Sequence, residues 1–131
     1  MARSVEVGEA EVIERLRSAG ARFAFVHGSR AHGVPRRPAA DLDVGAWWDS
    51  DPPDPWDVSL PPHVDLVVLN RAPLWLAGRI ALDGRLLFDE DPPARVAWQA
   101  DTRLRYLDEI PAIRERYRQR RLQLARHARH G

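Results

Sequence analysis

The alternation of apolar and polar positions divides this chain into short strands and longer helices. Between Glu6 and Ala19, Val12, Ile13 and Leu16 fall on one side of a helical wheel and charged residues on the other, which predicts an amphipathic helix. Ser4 is placed to cap it, Glu11 and Arg15 support it at a spacing of four, and Gly20 terminates it. The aromatic run through Phe23 and Phe25 predicts a strand ending at Gly28. A short helix is expected from Ser29 to Gly33, then a stiff basic loop holding Pro35, Arg36, Arg37 and Pro38. Asp41 and Asp43 open a second apolar run, Leu42-Val44-Ala46, and Asp65 sits inside a third, His63 to Leu69.

The remainder reads as connectors and helices. Five prolines and four aspartates between Trp48 and Pro62 remove any periodicity, so this stretch is expected to be an extended, solvated connector, the alternative being a lid or partner-contact loop with Trp56 as an exposed anchor. A helix from about Pro73 to Leu82 starts with proline where helices tolerate it and stops at Gly84; Arg85 to Phe88 then form a short edge strand. From Pro92 the pattern is helical. Val96, Leu104, Leu107, Ile110, Ile113 and Tyr117 recur at threes and fours as a core-facing or partner-facing stripe, and Pro111 splits the helix near Glu109. The predicted class is α+β: a small mixed sheet flanked by helices, in a single domain over residues 1–131, with a C-terminal helical extension over about 92–128.

Composition narrows the chemistry. With 44% hydrophobic and 30% charged residues the chain resembles ordinary globular domains, and no apolar stretch approaches membrane-spanning length. The absence of cysteine excludes thiol chemistry and agrees with a cytoplasmic location. All 20 basic residues are arginine, so a P-loop lysine, a Schiff base and a lysine general base are impossible. The formal net charge of +1 gives no overall field for a polyanion, and direct nucleic-acid binding is not expected. The charge is nevertheless uneven: acidic between Asp49 and Asp57, basic from Arg114 onward.

Candidate chemistry gathers between Val26 and Trp47. Strand side chains alternate between faces, so Asp41 and Asp43 point the same way as two neighbouring carboxylates. Such a pair is stabilised by a cation between them, and hard ions such as Mg²⁺ take carboxylate oxygens. The Gly28-Ser29 corner offers backbone N–H groups and a hydroxyl to a phosphate.

Gly28-Ser29 followed by Asp41-Leu42-Asp43, with Asp65 on a later strand, resembles the signature of the polymerase-β-like nucleotidyltransferase superfamily. Leu69 to Pro73, Gly78-Arg79-Ile80, Gly84 to Phe88, Asp91 to Arg95 and Tyr106-Leu107-Asp108 extend the likeness to the minimal nucleotidyltransferases, the MntA-like antitoxins paired with HEPN-domain toxins. The resemblance implies that Asp41, Asp43 and Asp65 are catalytic and metal-binding, holding two Mg²⁺ ions. It implies that Gly28, Ser29 and Arg30 bind the nucleotide, and that ATP is the co-substrate. The implied activity is transfer of AMP to a tyrosine of a cognate HEPN toxin of the HepT type, silencing its ribonuclease activity; a hetero-oligomer of the two proteins, away from any membrane, is an arrangement the resemblance allows. Two positions depart from the pattern: the spacing from Ser29 to Asp41 is one residue longer, and His32 stands where arginine is usual. Two rival readings are an antitoxin that binds its toxin without chemistry, and a nucleotidyltransferase acting on a small hydroxylated molecule such as an aminoglycoside. Arg22–His27 and Arg121–His127 match the Arg-x(4–6)-His spacing of HEPN ribonucleases, as expected by chance in so arginine-rich a chain, and a ribonuclease reading is rejected.

Overall fold

The computed structural model describes residues 4–28, 41–109 and 111–130. The elements are α1 (Ser4–Ser18), β1 (Ala21–His27), β2 (Leu42–Trp48), β3 (Val64–Val68), α2 (Leu74–Asp83), β4 (Arg85–Asp89), α3 (Pro92–Glu109) and α4 (Pro111–His130). The strands form one mixed sheet, as expected, and their order is β3-β2-β1-β4. β1 runs antiparallel to both of its neighbours, β2 and β4, while β2 and β3 are parallel.

Alternation along the strands gives the sheet two apolar faces. Ala24, Val26, Leu42, Val44, Ala46 and Val68 pack with Val12 and Leu16 of α1. On the opposite face Phe23, Phe25 and Leu69 pack with Ile80 and Leu76 of α2 and with Ala94 and Trp98 of α3. Phe23 stacks on Trp47 with ring centroids 5.2 Å apart, and Trp98 lies 5.8 Å from both Phe23 and Phe25. Helices therefore cover both faces, and the strands read as dense apolar runs for that reason.

The helical stripe needs a correction. Val96 and Leu104 are exposed, so they do not face the core. The inward face of α3 runs through Ala94, Trp98, Thr102 and Tyr106, a run of fours that pairs two aromatic rings with two small residues. Two polar bonds set this rotation: Gln99 Nε2 and Arg103 Nε donate to the Ala81 carbonyl at 3.1 and 2.7 Å, satisfying an acceptor in the last turn of α2. Asp91 caps α3 by accepting from the Ala94 N–H at 3.2 Å. Ile110 lies outside the described residues, as do the side chains of Ile113 and Tyr117.

The proline-rich connector between β2 and β3 is tied down at both ends, with one 3-10 turn at Pro55–Asp57. Arg71 donates to the Pro52 carbonyl at 2.7 Å and pairs with Asp54 at 3.1 Å, while Arg15 reaches the Ser59 hydroxyl at 2.9 Å. Trp56 is exposed. Asn70 fastens the end of β2 by donating to the Trp48 carbonyl (2.7 Å) and accepting from its N–H (3.0 Å). Asn70→Ala is expected to cost about 1–2 kcal/mol, because a part-buried N–H and carbonyl each lose their partner. A urea melt monitored by tryptophan fluorescence measures this; an unchanged midpoint would mean the clamp is not needed.

Candidate functional site

The site is a row across three adjacent strands. In the register of the sheet, His27 of β1 lies opposite Asp43 of β2, and Asp43 lies opposite Asp65 of β3. Directly paired residues project to one face. Asp43 alternates with Leu42 and Val44, which face α1, so the row belongs to the face shared by α2 and α3. Asp41 is two residues before Asp43 and follows the same alternation from the mouth of the strand. Asp65 is exposed and Asp43 is partly covered.

Each acidic group has its own surroundings. Asp41 Oδ1 lies 3.4 Å from His63 Nδ1; His63 adopts φ +66° at the entrance to β3, and its carbonyl accepts from the Leu42 N–H at 2.8 Å. Gly28 has φ +74°, and a Cβ built there would come within 2.8 Å of Asp43 Oδ2. The left-handed backbone favours glycine, and the missing side chain leaves room for the Asp43 carboxylate against the turn after β1. Among the described residues, no group of three or more histidine, aspartate or glutamate side chains is gathered tightly enough to surround one ion. Ser29 and Arg30, expected to contact the nucleotide, and His32 lie outside the described residues.

His27 was not anticipated from sequence as part of this constellation, although the alternation from Phe23 and Phe25 puts it on the same face. Its Nε2 is buried and has no hydrogen-bond partner among the described residues. Burial holds the imidazole below its ordinary value of 6.5; the Asp43 carboxylate opposes this, and the Arg79 guanidinium of α2 reinforces it. The neutral ring is thus favoured in the fold, and the unfolded chain takes up the proton first as pH falls. The stability contributed is present above pH 6.5 and declines as the pH drops toward the depressed folded value. In the presence of a chelator, urea midpoints of the native chain are expected to fall more steeply below about pH 6.5 than those of His27→Gln. Parallel pH profiles would show that His27 does not titrate differently on folding.

No protein-family model matches the chain, and no curated protein matches it in sequence. Its fold does match solved structures. A toxin–antitoxin complex with AMP-PNP contains a chain that superposes with a TM-score of 0.67 at 21% identity, over 83% of this chain and 97% of that one. An MntA–HepT toxin–antitoxin structure gives 0.61 at 18% identity, over 86% and 97%. A tri-AMPylated Shewanella oneidensis HEPN toxin in complex with its MNT antitoxin gives 0.64 at 19% identity over the same shares. Identity this low speaks for architecture: the chain has the fold of the minimal-nucleotidyltransferase antitoxin of such complexes.

Proposed function

We propose that this protein is an antitoxin-type nucleotidyltransferase that transfers AMP from ATP to a tyrosine of a partner HEPN toxin. The observation that carries the reading is the register that sets Asp43 beside Asp65, with the bare Gly28 turn against Asp43. Support also comes from the fold shared with complexes described as containing AMP-PNP and a tri-AMPylated HEPN toxin.

The donor set suits a hard divalent ion. Mg²⁺ needs only one or two protein carboxylates, its other ligands being water and phosphate, so Asp41 with Asp43, and Asp43 with Asp65, are sufficient without a three-residue cage. Bound there, Mg²⁺ would neutralise phosphate charge and acidify the attacking hydroxyl. In this reading Asp65, an exposed carboxylate on the edge strand, accepts the proton of the incoming phenol, whose pKa near 10 makes it easier to ionise than an alkyl hydroxyl. The new bond joins the phenolic oxygen to the α-phosphorus, the α–β bridging bond breaks, and pyrophosphate leaves with the electron pair. Gly28 and Ser29 would receive the leaving phosphates through backbone N–H groups. Arg30 and Arg79 would balance their charge, Arg79 being near enough to act on His27 in the same row.

The test is incubation of the chain with α-labelled ATP, Mg²⁺ and the HEPN protein encoded beside it. Label on a toxin tyrosine supports the reading. Neutralisation of the toxin without any label would instead identify an antitoxin that acts by binding alone.

A further inference from the structure

Strand β3 is an edge of the sheet, and among the described residues no strand pairs with its outer side. The Leu42 N–H donates to the His63 carbonyl and the Leu69 N–H to the Ala46 carbonyl, each at 2.8 Å. In a parallel ladder with this register, His63, Asp65, Val67 and Leu69 turn their backbone groups toward β2. Alternation then turns the N–H and C=O of Val64 and Leu66 outward. The open edge stops at Val68, whose carbonyl accepts from the Arg71 N–H at 3.1 Å. Proteins commonly blunt such an edge with lysine, proline or a bulge. None of the three interrupts Val64–Val68, and its one charge, Asp65, is a member of the carboxylate row.

Four outward groups on alternate residues match an extended backbone, which offers the complementary groups at the same repeat. A segment running antiparallel would pair with Leu66 and Val64 by two hydrogen bonds each and set the residue between them opposite Asp65. That central pair is of the non-hydrogen-bonded kind, in which Cα atoms come within about 4.5 Å and side chains lie closest. The central side chain projects to the face of Asp65. Its two neighbours project to the other face, where the half-buried Val64 and Leu66 join the α1 cluster. The connector between β2 and β3 packs there as well: Val58 is buried in that cluster, and the 3-10 turn at Pro55–Asp57 touches β3. Residues 49–62 hold four aspartates and no basic residue, and Asp49, Asp51, Trp56 and Asp57 are exposed. These surroundings suit an extended segment that is apolar on either side of its centre and basic beyond. They do not suit a second copy of this chain, because pairing two β3 strands in this register sets Asp65 against Asp65.

We propose that the free edge of β3 captures the acceptor tyrosine of the protein substrate by strand addition, the tyrosine segment extending the sheet antiparallel to β3 with its phenol beside Asp65. This rests on the nucleotidyltransferase reading and adds to it how the acceptor is chosen. The transfer is unchanged: the phenolic oxygen bonds to the α-phosphorus, pyrophosphate leaves with the bonding pair, and the phenol proton passes to Asp65. Trp56, exposed on the turn that touches β3, is the aromatic contact for the incoming segment.

The probe is a fluorescently labelled peptide, Arg-Thr-Val-Tyr-Val-Thr-Arg, whose binding to the full chain is followed by anisotropy with Mg²⁺ and a non-hydrolysable ATP analogue. N-methylation of either valine blocks a bond to β3 and is expected to weaken binding at least about tenfold. N-methylation of the tyrosine, whose N–H points away from β3, is expected to change binding by less than about twofold. Leu66→Pro removes an outward N–H and no bond to β2, so this variant is expected to fold and to keep its thermal shift with Mg²⁺ and nucleotide. For AMP transfer to the HEPN protein encoded beside the chain, it is expected to raise KM about tenfold and to lower kcat much less. Should the variant fail to fold, the peptide series decides alone. Equal binding of all the methylated peptides, no binding of the parent peptide at millimolar concentration, or weakening by the tyrosine N-methyl alone overturns the proposal. So does a dimer of the chain that Leu66→Pro dissolves, since a second copy would then hold the edge. Label on the HEPN protein with no discrimination among peptides refutes strand addition and leaves the enzyme standing. Discrimination among peptides with no label on any tyrosine refutes the enzyme and the acceptor role with it, leaving strand addition as a binding mode only.

Discussion

Asp43→Asn is expected to lower AMP transfer by about a hundredfold or more while leaving the fold intact, because it removes one charge from the row and no volume. Asp43 is the middle member: it sits opposite His27 on one side and Asp65 on the other, and it is the carboxylate against which the Gly28 turn closes. The substitution also has a diagnostic stability signature. Like charges paired directly across neighbouring strands destabilise a sheet, so without divalent ions the asparagine variant is expected to melt at the same temperature as the native chain or slightly above it. Adding Mg²⁺ with a non-hydrolysable ATP analogue is expected to raise the melting temperature of the native chain and not of the variant, since a ligand stabilises only the form that binds it. A variant that loses labelling together with its fold, or one that transfers AMP at the native rate, would remove Asp43 from the mechanism.

Gly78→Ala is expected to destabilise the protein by about 2 kcal/mol, although helix propensity alone predicts a gain of about 1 kcal/mol for alanine in a helix interior. The sign is decided by Tyr106. A Cβ on Gly78 would overlap the Tyr106 ring and its Cβ, and this ring is buried against α2. Either the ring leaves its place or α2 and α3 move apart, and both disturb the apolar layer beneath the carboxylate row. Chemical denaturation of Gly78→Ala, Tyr106→Ala and the double variant measures the coupling. With the ring removed, the alanine is expected to recover its propensity gain, giving a coupling of about 3 kcal/mol. Simple additivity would mean that the contact is not what requires glycine at this position.

The lesson of Gly78 applies to much of the molecule. Gly78 was visible in the sequence as part of a family-like segment, but its physical role depends on a tyrosine 28 positions later. The stripe on α3 shows the same limit. Val96 and Leu104 fit a helical repeat, yet the rotation of α3 is set by Trp98, Tyr106 and the two donors to the Ala81 carbonyl. Periodicity counts apolar residues without registering which ring fills which gap, or which polar group answers an unsatisfied carbonyl. His27 was likewise readable as the end of a strand, but its burial beside Asp43 depends on the pairing of β1 with β2.

What the sequence determined by itself is local. Alternation set the four strands, helical spacing set the helices, and Pro111 set the break between α3 and α4. The chemistry open to Asp41 and Asp43 was also legible, because two residues in one strand share a face whatever that strand pairs with. Tertiary structure decided what depends on residues distant in the chain. It chose the parallel register that brings Asp65 level with Asp43, since a slip of one residue would have sent Asp65 to the α1 face. It also separated α4 from the acidic body, turning a balanced total charge into two opposed ones. The register arises from how the apolar faces pack together, and no local pattern contains that information.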